Sequence, residues 1–158
     1  MRAVVLAGTI LASLLFSTAV RWLLEHYLRD PIPILGDWVT LRLLENAGIA
    51  FGIDLPLTIF APLVVVALLL LSIAALRQRG GRVLRASYGL ILGGALANLI
   101  DRLDDGMVTD FFAIGSFPVF NVADSCITIG VATILLFLTR RPAAKDSSSP
   151  LAGGTIPR

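Results

Sequence analysis

The chain holds one cysteine, Cys126, and one histidine, His26, among 158 residues. A single thiol excludes an internal disulfide and a thiolate-rich metal site, and a single imidazole leaves no metal cluster and no Ser-His-Asp triad. His26 reads as an interfacial or loop residue. Charge is scarce as well: 15 % of residues are charged and 56 % hydrophobic, against about 25 % and about 45–50 % in an ordinary soluble domain. The net charge of +2 is small and the arginines are dispersed, which excludes a nucleic-acid face. Neither a glycine-rich phosphate loop nor a metal-ligand spacing is present, and the acids alone offer too few oxygen ligands for a hard cation. What remains is a chain built for a bilayer.

Four apolar runs approach the roughly 20 residues that a helix needs to cross about 30 Å of hydrocarbon. They are Ala3 to Leu24, Leu57 to Leu76, Val83 to Ile100 and Phe120 to Thr139. Arg21 interrupts the first late enough to snorkel to an interface. The first run is longer than the apolar part of a secretory signal and lacks a clear cleavage site, so it is read as a retained helix. With the amino terminus inside, the inner segments carry Arg2, Arg77, Arg79, Arg82, Arg85, Arg140, Arg141, Lys145 and Arg158, nine of the thirteen basic residues. That asymmetry predicts both termini in the cytoplasm. Every acid except Asp146 then falls at or beyond the outer interface. Residues 1–141 form the membrane domain, and 142–158, rich in Pro, Ser, Gly and Ala, form a disordered cytoplasmic tail. Between the first two spans, "WVTLRLL" (Trp38 to Leu44) has enough alternation for a short strand or hairpin.

An ionisable group next to hydrocarbon is costly and marks function by default. Asp124 opens the fourth helix beside Asn121 and Ser125, and by itself it reads equally well as an acid favoured by the helix dipole with Asn121 as its cap. Asp110 lies across the same outer loop, in a second polar knot that includes Asn98, Asp101 and Arg102. Two carboxylates brought together share a proton. The ionised member can activate water while the neutral one polarises a carbonyl, which is aspartic-protease chemistry.

Three blocks then carry a resemblance: "ENAGIAFG" (Glu45 to Gly52), "GGALANLIDRLDDGMVTDF" (Gly93 to Phe111) and "FPVFNVADS" (Phe117 to Ser125). In order and spacing they resemble the lipoprotein signal peptidases, the membrane aspartyl peptidases of bacteria. The resemblance implies an all-α membrane protein of four transmembrane helices with a small extracytoplasmic, β-containing cradle formed by residues 29–56. It implies a catalytic pair, Asp110 of V-x-D-F and Asp124 of F-N-x-A-D, with Asp101 as the rival. Asn46, Asn98, Asp101, Arg102 and Asn121 match positions that line or support the site, and Gly48, Phe51, Gly94, Phe111, Pro118, Phe120 and Ala123 match packing positions. No cofactor or metal is implied. The implied substrates are diacylglyceryl-modified prolipoproteins, cut on the amino side of the lipobox cysteine in the inner membrane by a monomer among lipids, with no nucleic acid. Three features depart from the family pattern: Ser17 and Arg21 stand where a D-Q-x-x-K-like motif is usual, Ala97 replaces the Gly before Asn98, and the Asp110 to Asp124 loop is short. A non-catalytic relative that binds lipoproteins or a membrane partner is the alternative. A transporter subunit is disfavoured because the acids gather at one face instead of the midplane.

Overall fold

A computed structural model describes residues 2–48 and 56–139; Phe51 and the 142–158 tail lie outside the described residues. Four helices, α1 (Arg2–Tyr27), α2 (Leu57–Arg77), α3 (Arg82–Asp105) and α4 (Val122–Thr139), alternate with β1 (Ile32–Leu35), β2 (Val39–Asn46), β3 (Val108–Ile114) and β4 (Phe117–Phe120). All four helices are long and apolar enough to span a bilayer. The strands form one antiparallel sheet in the order β1-β2-β3-β4. Connectivity places the sheet where α1 and α3 end and α2 and α4 begin.

Helix α3 is the axis. It packs chiefly on α1 and α4, with α2 alongside, and 56 % of its span is buried against 17 % or less in the others. This explains why it is the least apolar of the four: its neighbours are protein, so small and polar side chains replace the lipid-facing leucines of α2. Close approach depends on glycine. A Cβ at Gly93 would lie 2.5 Å from the Ile10 carbonyl of α1, and one at Gly94 would lie 2.6 Å from the Ala123 carbonyl of α4.

Gly94→Ala must therefore push α4 away next to Asp124. We expect a loss of about 1–3 kcal/mol, read as a lowered Tm in detergent, together with reduced turnover. Gly8→Ala is the control, since nothing lies within 4 Å of the added carbon, and it should leave Tm unchanged or slightly raised.

Several boundaries differ from the hydropathy reading. Helix α3 continues five residues beyond Ile100 because the polar turn 101–105 is still helical; it stops at Gly106, whose φ of 85° forms the left-handed cap. Helix α4 begins at Val122, since Phe120 belongs to β4. The sequence-predicted strand over Trp38 to Leu44 is β2, whereas β1, β3 and β4 went unseen. The short Asp110 to Asp124 "loop" is a β-hairpin that turns at Gly115, where φ is 50°. A tight turn needs few residues, which accounts for its shortness.

Candidate active site

Strand β3 sets the first carboxylate. Alternation along a strand sends Asp110 to one face and Thr109 and Phe111 to the other. Asp110 is 2 % exposed and Phe111 fully buried. Asp110 lies opposite Leu44 of β2, just past a bulge between Leu41 and Leu44, and Asn46 pairs with Val108. The diagonal neighbours Asn46 and Asp110 thus share a face, and Asn46 Nδ2 donates to Asp110 Oδ2 at 2.8 Å. Asn46 Oδ1 in turn accepts from the Gly48 N–H at 3.0 Å.

The second carboxylate is set by a reciprocal helix cap. Asn121 is the N-cap of α4: its Oδ1 accepts from the Asp124 N–H at 3.0 Å, and Asp124 Oδ2 accepts from the Asn121 N–H at 3.2 Å. This is a capping box with Asp at the third position. The capping role and the site role of Asp124 are therefore compatible, because Oδ1 remains free to accept from Asn98 Nδ2 at 2.8 Å.

Asn121 also couples the two acids. Its Nδ2 donates to Asp110 Oδ1 at 2.9 Å and to Asn98 Oδ1 at 3.1 Å. Three asparagines and two aspartates thus form one hydrogen-bonded ladder linking α3, β2, β3 and α4. Asn46, Asp110 and Asp124 line a groove of about 600 Å³ whose remaining wall is Phe117–Phe120 of β4 and Ser125, Thr128 and Ile129 of α4.

Arg102 supplies the nearby positive charge. It is buried, donates from Nη2 to the Gly48 carbonyl at 2.7 Å, and lies over the Phe60 ring of α2 at 4.9 Å. Burial pushes the Asp110 carboxyl up to about 6; Asn46 opposes this, the charge of Asp124 adds to it, and Asn121 and Arg102 oppose it.

The sign of the resulting pH dependence is fixed. The unfolded carboxyl ionises near its ordinary 3.8 while the folded one holds its proton to about 6, so the unfolded chain binds fewer protons between these values. Asp110 therefore contributes stability below about pH 4 that is lost as pH rises to about 6. Asp110→Asn lacks this titration. Its Tm relative to the wild type should rise between pH 4 and pH 7, and a flat difference would contradict the burial of Asp110.

Asp101 is arranged differently. It forms an ion pair with Arg21 of α1, and its Oδ2 accepts from the Thr109 N–H at 3.1 Å. Thr109 Oγ1 donates to Glu25 Oε1 at 2.7 Å, and Glu25 lies 3.8 Å from Arg21. This cluster borders a small cavity, shared with Ser17, Asn98, Phe111 and Asn121, that is separate from the groove. Arg21 is thus held by an acid instead of only snorkelling, and Asn98 and Asp101 turn to different partners despite their spacing of three. Sequence reasoning missed Glu25 and Thr109; the Arg21/Glu25 spacing of four was the available signal. Ser17 is buried beside the weakly bonding Cys126 thiol, without a well-formed hydrogen bond. Gly48, Gly94, Phe111 and Ala123 are buried or closely packed, whereas Pro118 and Phe120 face the groove. Among the described residues no three His, Cys, Asp or Glu side chains gather as a metal-binding group.

A family model described as signal peptidase (SPase) II matches residues 9–140. The chain belongs to the signal peptidase II family. It is 41 % identical over 119 residues to the lipoprotein signal peptidase of Halothermothrix orenii, spanning 74 % of this chain and 81 % of that one. Against the Chlorobaculum tepidum protein of the same name, identity is 40 % over 145 residues, spanning 80 % and 89 %. A solved bacterial membrane enzyme, determined in meso at 2.3 Å, matches with a TM-score of 0.76 at 25 % identity, covering 96 % of this chain and 94 % of that one. The protein is a multi-pass bacterial membrane peptidase of the aspartyl type, and the family's substrates are prolipoproteins. Its four helices and four-stranded sheet are the membrane enzyme fold that the sequence blocks implied.

Proposed function

We propose that this signal peptidase II cuts diacylglyceryl-modified prolipoproteins on the amino side of the lipobox cysteine, using a water held between Asp110 and Asp124. The observation that carries the reading is the placement of both carboxylates on one apolar groove, cross-linked through Asn121 and Asn98. Asp110, whose burial lets its carboxyl hold a proton up to about pH 6, donates that proton to the scissile carbonyl oxygen. Asp124 sits at the start of α4, where the helix dipole favours an anion, and takes a proton from the attacking water. Collapse of the tetrahedral intermediate breaks the C–N bond as Asp124 passes its proton to the leaving amine and Asp110 takes back the proton on the former carbonyl oxygen. Asn46, Asn98 and Asn121 orient the pair, and Arg102 tempers its charge. Asp101 is a positioning residue that ties α1 to β3.

The sheet end of the bundle suits an interfacial substrate. Exposed Trp22 and Tyr27 close α1, and Ile32, Ile34, Leu35 and Trp38 are exposed on and beside β1 and β2. Aromatic and apolar side chains of this kind settle at the membrane–water boundary. With the sheet end outside and both termini in the cytoplasm, the signal helix lies in lipid while its scissile bond meets water and the acyl chains lie along Phe117 and Phe120. A monomer suffices for this chemistry, since the ladder is complete within one chain.

Purified protein given a diacylglyceryl-modified lipobox peptide and its unmodified counterpart tests this. Cleavage only of the modified peptide, before its cysteine, supports the reading. Tight binding of that peptide without cleavage by folded protein would favour a non-catalytic relative.

A further inference from the structure

At the end of the bundle opposite the sheet, Ala3 and Leu6 of α1, Ala75 and Leu76 of α2, Arg77, Gln78 and Arg79, and Arg85 of α3 line an open cavity of about 340 Å³. Arg85 is only 8 % exposed, and among the described residues its guanidinium makes one long hydrogen bond, from Nη2 to the Gln78 carbonyl at 3.5 Å. Both polar side-chain atoms of Gln78 are buried with no hydrogen-bond partner among the described residues. The chain holds no acid between Asp54 and Asp101, and among the described residues Arg77, Arg79, Arg82 and Arg85 form no ion pair. The first turn of α3 likewise has no acid, and its N-cap, Gly81, makes no side-chain hydrogen bond. A buried cation without a partner is costly, and a helix start favours an anion.

From this geometry we propose that the cavity is a binding site for the phosphate headgroup of an acidic phospholipid. Arg85 and the Gln78 amide contact the phosphate oxygens, and Arg77 and Arg79 close over it. The walls commit the site to a lipid: Leu6 and Ala75 line it, and Leu76 is 71 % exposed beside it, a surface for the attached acyl chain. Basic pockets between membrane helices take such headgroups. The inference stands apart from the peptidase reading, because none of these residues touches the dyad.

The test is lipid retention by full-length protein in detergent, read by native mass spectrometry with phosphatidylglycerol or phosphatidylcholine, each with and without added inorganic phosphate. Wild type should retain phosphatidylglycerol at least about 20-fold better, the worth of roughly two arginines near an anionic headgroup. Arg85→Gln should abolish the preference. Should Arg85→Gln fail to fold, the exposed pair Arg77→Gln/Arg79→Gln, which leaves the buried positions untouched, should lower retention by about 20-fold. Equal retention of the two lipids, or an unchanged preference in the double variant, overturns the proposal. Displacement of phosphatidylglycerol by millimolar inorganic phosphate overturns the lipid as occupant in favour of the free anion.

Discussion

Asp110→Asn and Asp124→Asn should each lower kcat/KM by roughly 10⁴-fold, the upper end of what a positioned acid or base supplies. Release of the signal fragment measures the loss, and circular dichroism and Tm measure folding. Both variants should fold. Asn at position 124 retains an oxygen to accept from the Asn121 N–H, so the α4 cap survives. Asn at position 110 can still accept from one of its two amide donors, Asn46 or Asn121. The double variant should be little worse than either single one, because groups that act as a unit are not additive. A folded Asp124→Asn protein with wild-type turnover would remove the dyad from the account.

Breaking the other acid has a different signature. Asp101→Ala removes the nearer partner of Arg21 and the acceptor of the Thr109 N–H, leaving the partly buried cation with the more distant Glu25 at 3.8 Å. The expected loss is about 3 kcal/mol, the low end for a broken buried pair because Arg21 remains partly exposed. Arg21→Gln combined with Asp101→Asn should cost less than the two single changes added together, which a double-mutant cycle in detergent resolves. The distinguishing readout is turnover per folded molecule. Asp101→Asn should stay within about tenfold of wild type, short of the general acid–base range, whereas a loss as large as that of the dyad would make Asp101 the chemical partner.

The four helices were legible because hydropathy reports contact with lipid, and α1, α2 and α4 face it. It marked α3 and its end less well, since that helix meets protein and continues through Asp101 and Arg102 after the apolar run stops. The sheet was mostly illegible. Pro31 and Pro33 mask β1, and β4 is four residues long with Pro118 inside it, so alternation had little length in which to register. Asp110 thus seemed to lie in a loop, although a strand aims it. The polar ladder was legible as composition, in Asn46, Asn98, Asn121 and the two acids, but its pairing was not. Asn46 and Asp110 are 64 positions apart, and only the β2–β3 register makes them diagonal neighbours. The same limit hid Thr109 and Glu25, 84 positions apart.

The measurement closest to the central claim is a single turnover of the diacylglyceryl-modified lipobox peptide in water enriched in oxygen-18, with enzyme in excess and mass spectrometry of the released fragment. In the proposed mechanism water activated between Asp110 and Asp124 attacks the scissile carbon directly, so every fragment formed in that first turnover should carry one labelled oxygen in its new carboxylate. Unlabelled fragment, with the label instead on Asp110 or Asp124, would show that a carboxylate attacks the peptide and would contradict the proposed division of roles.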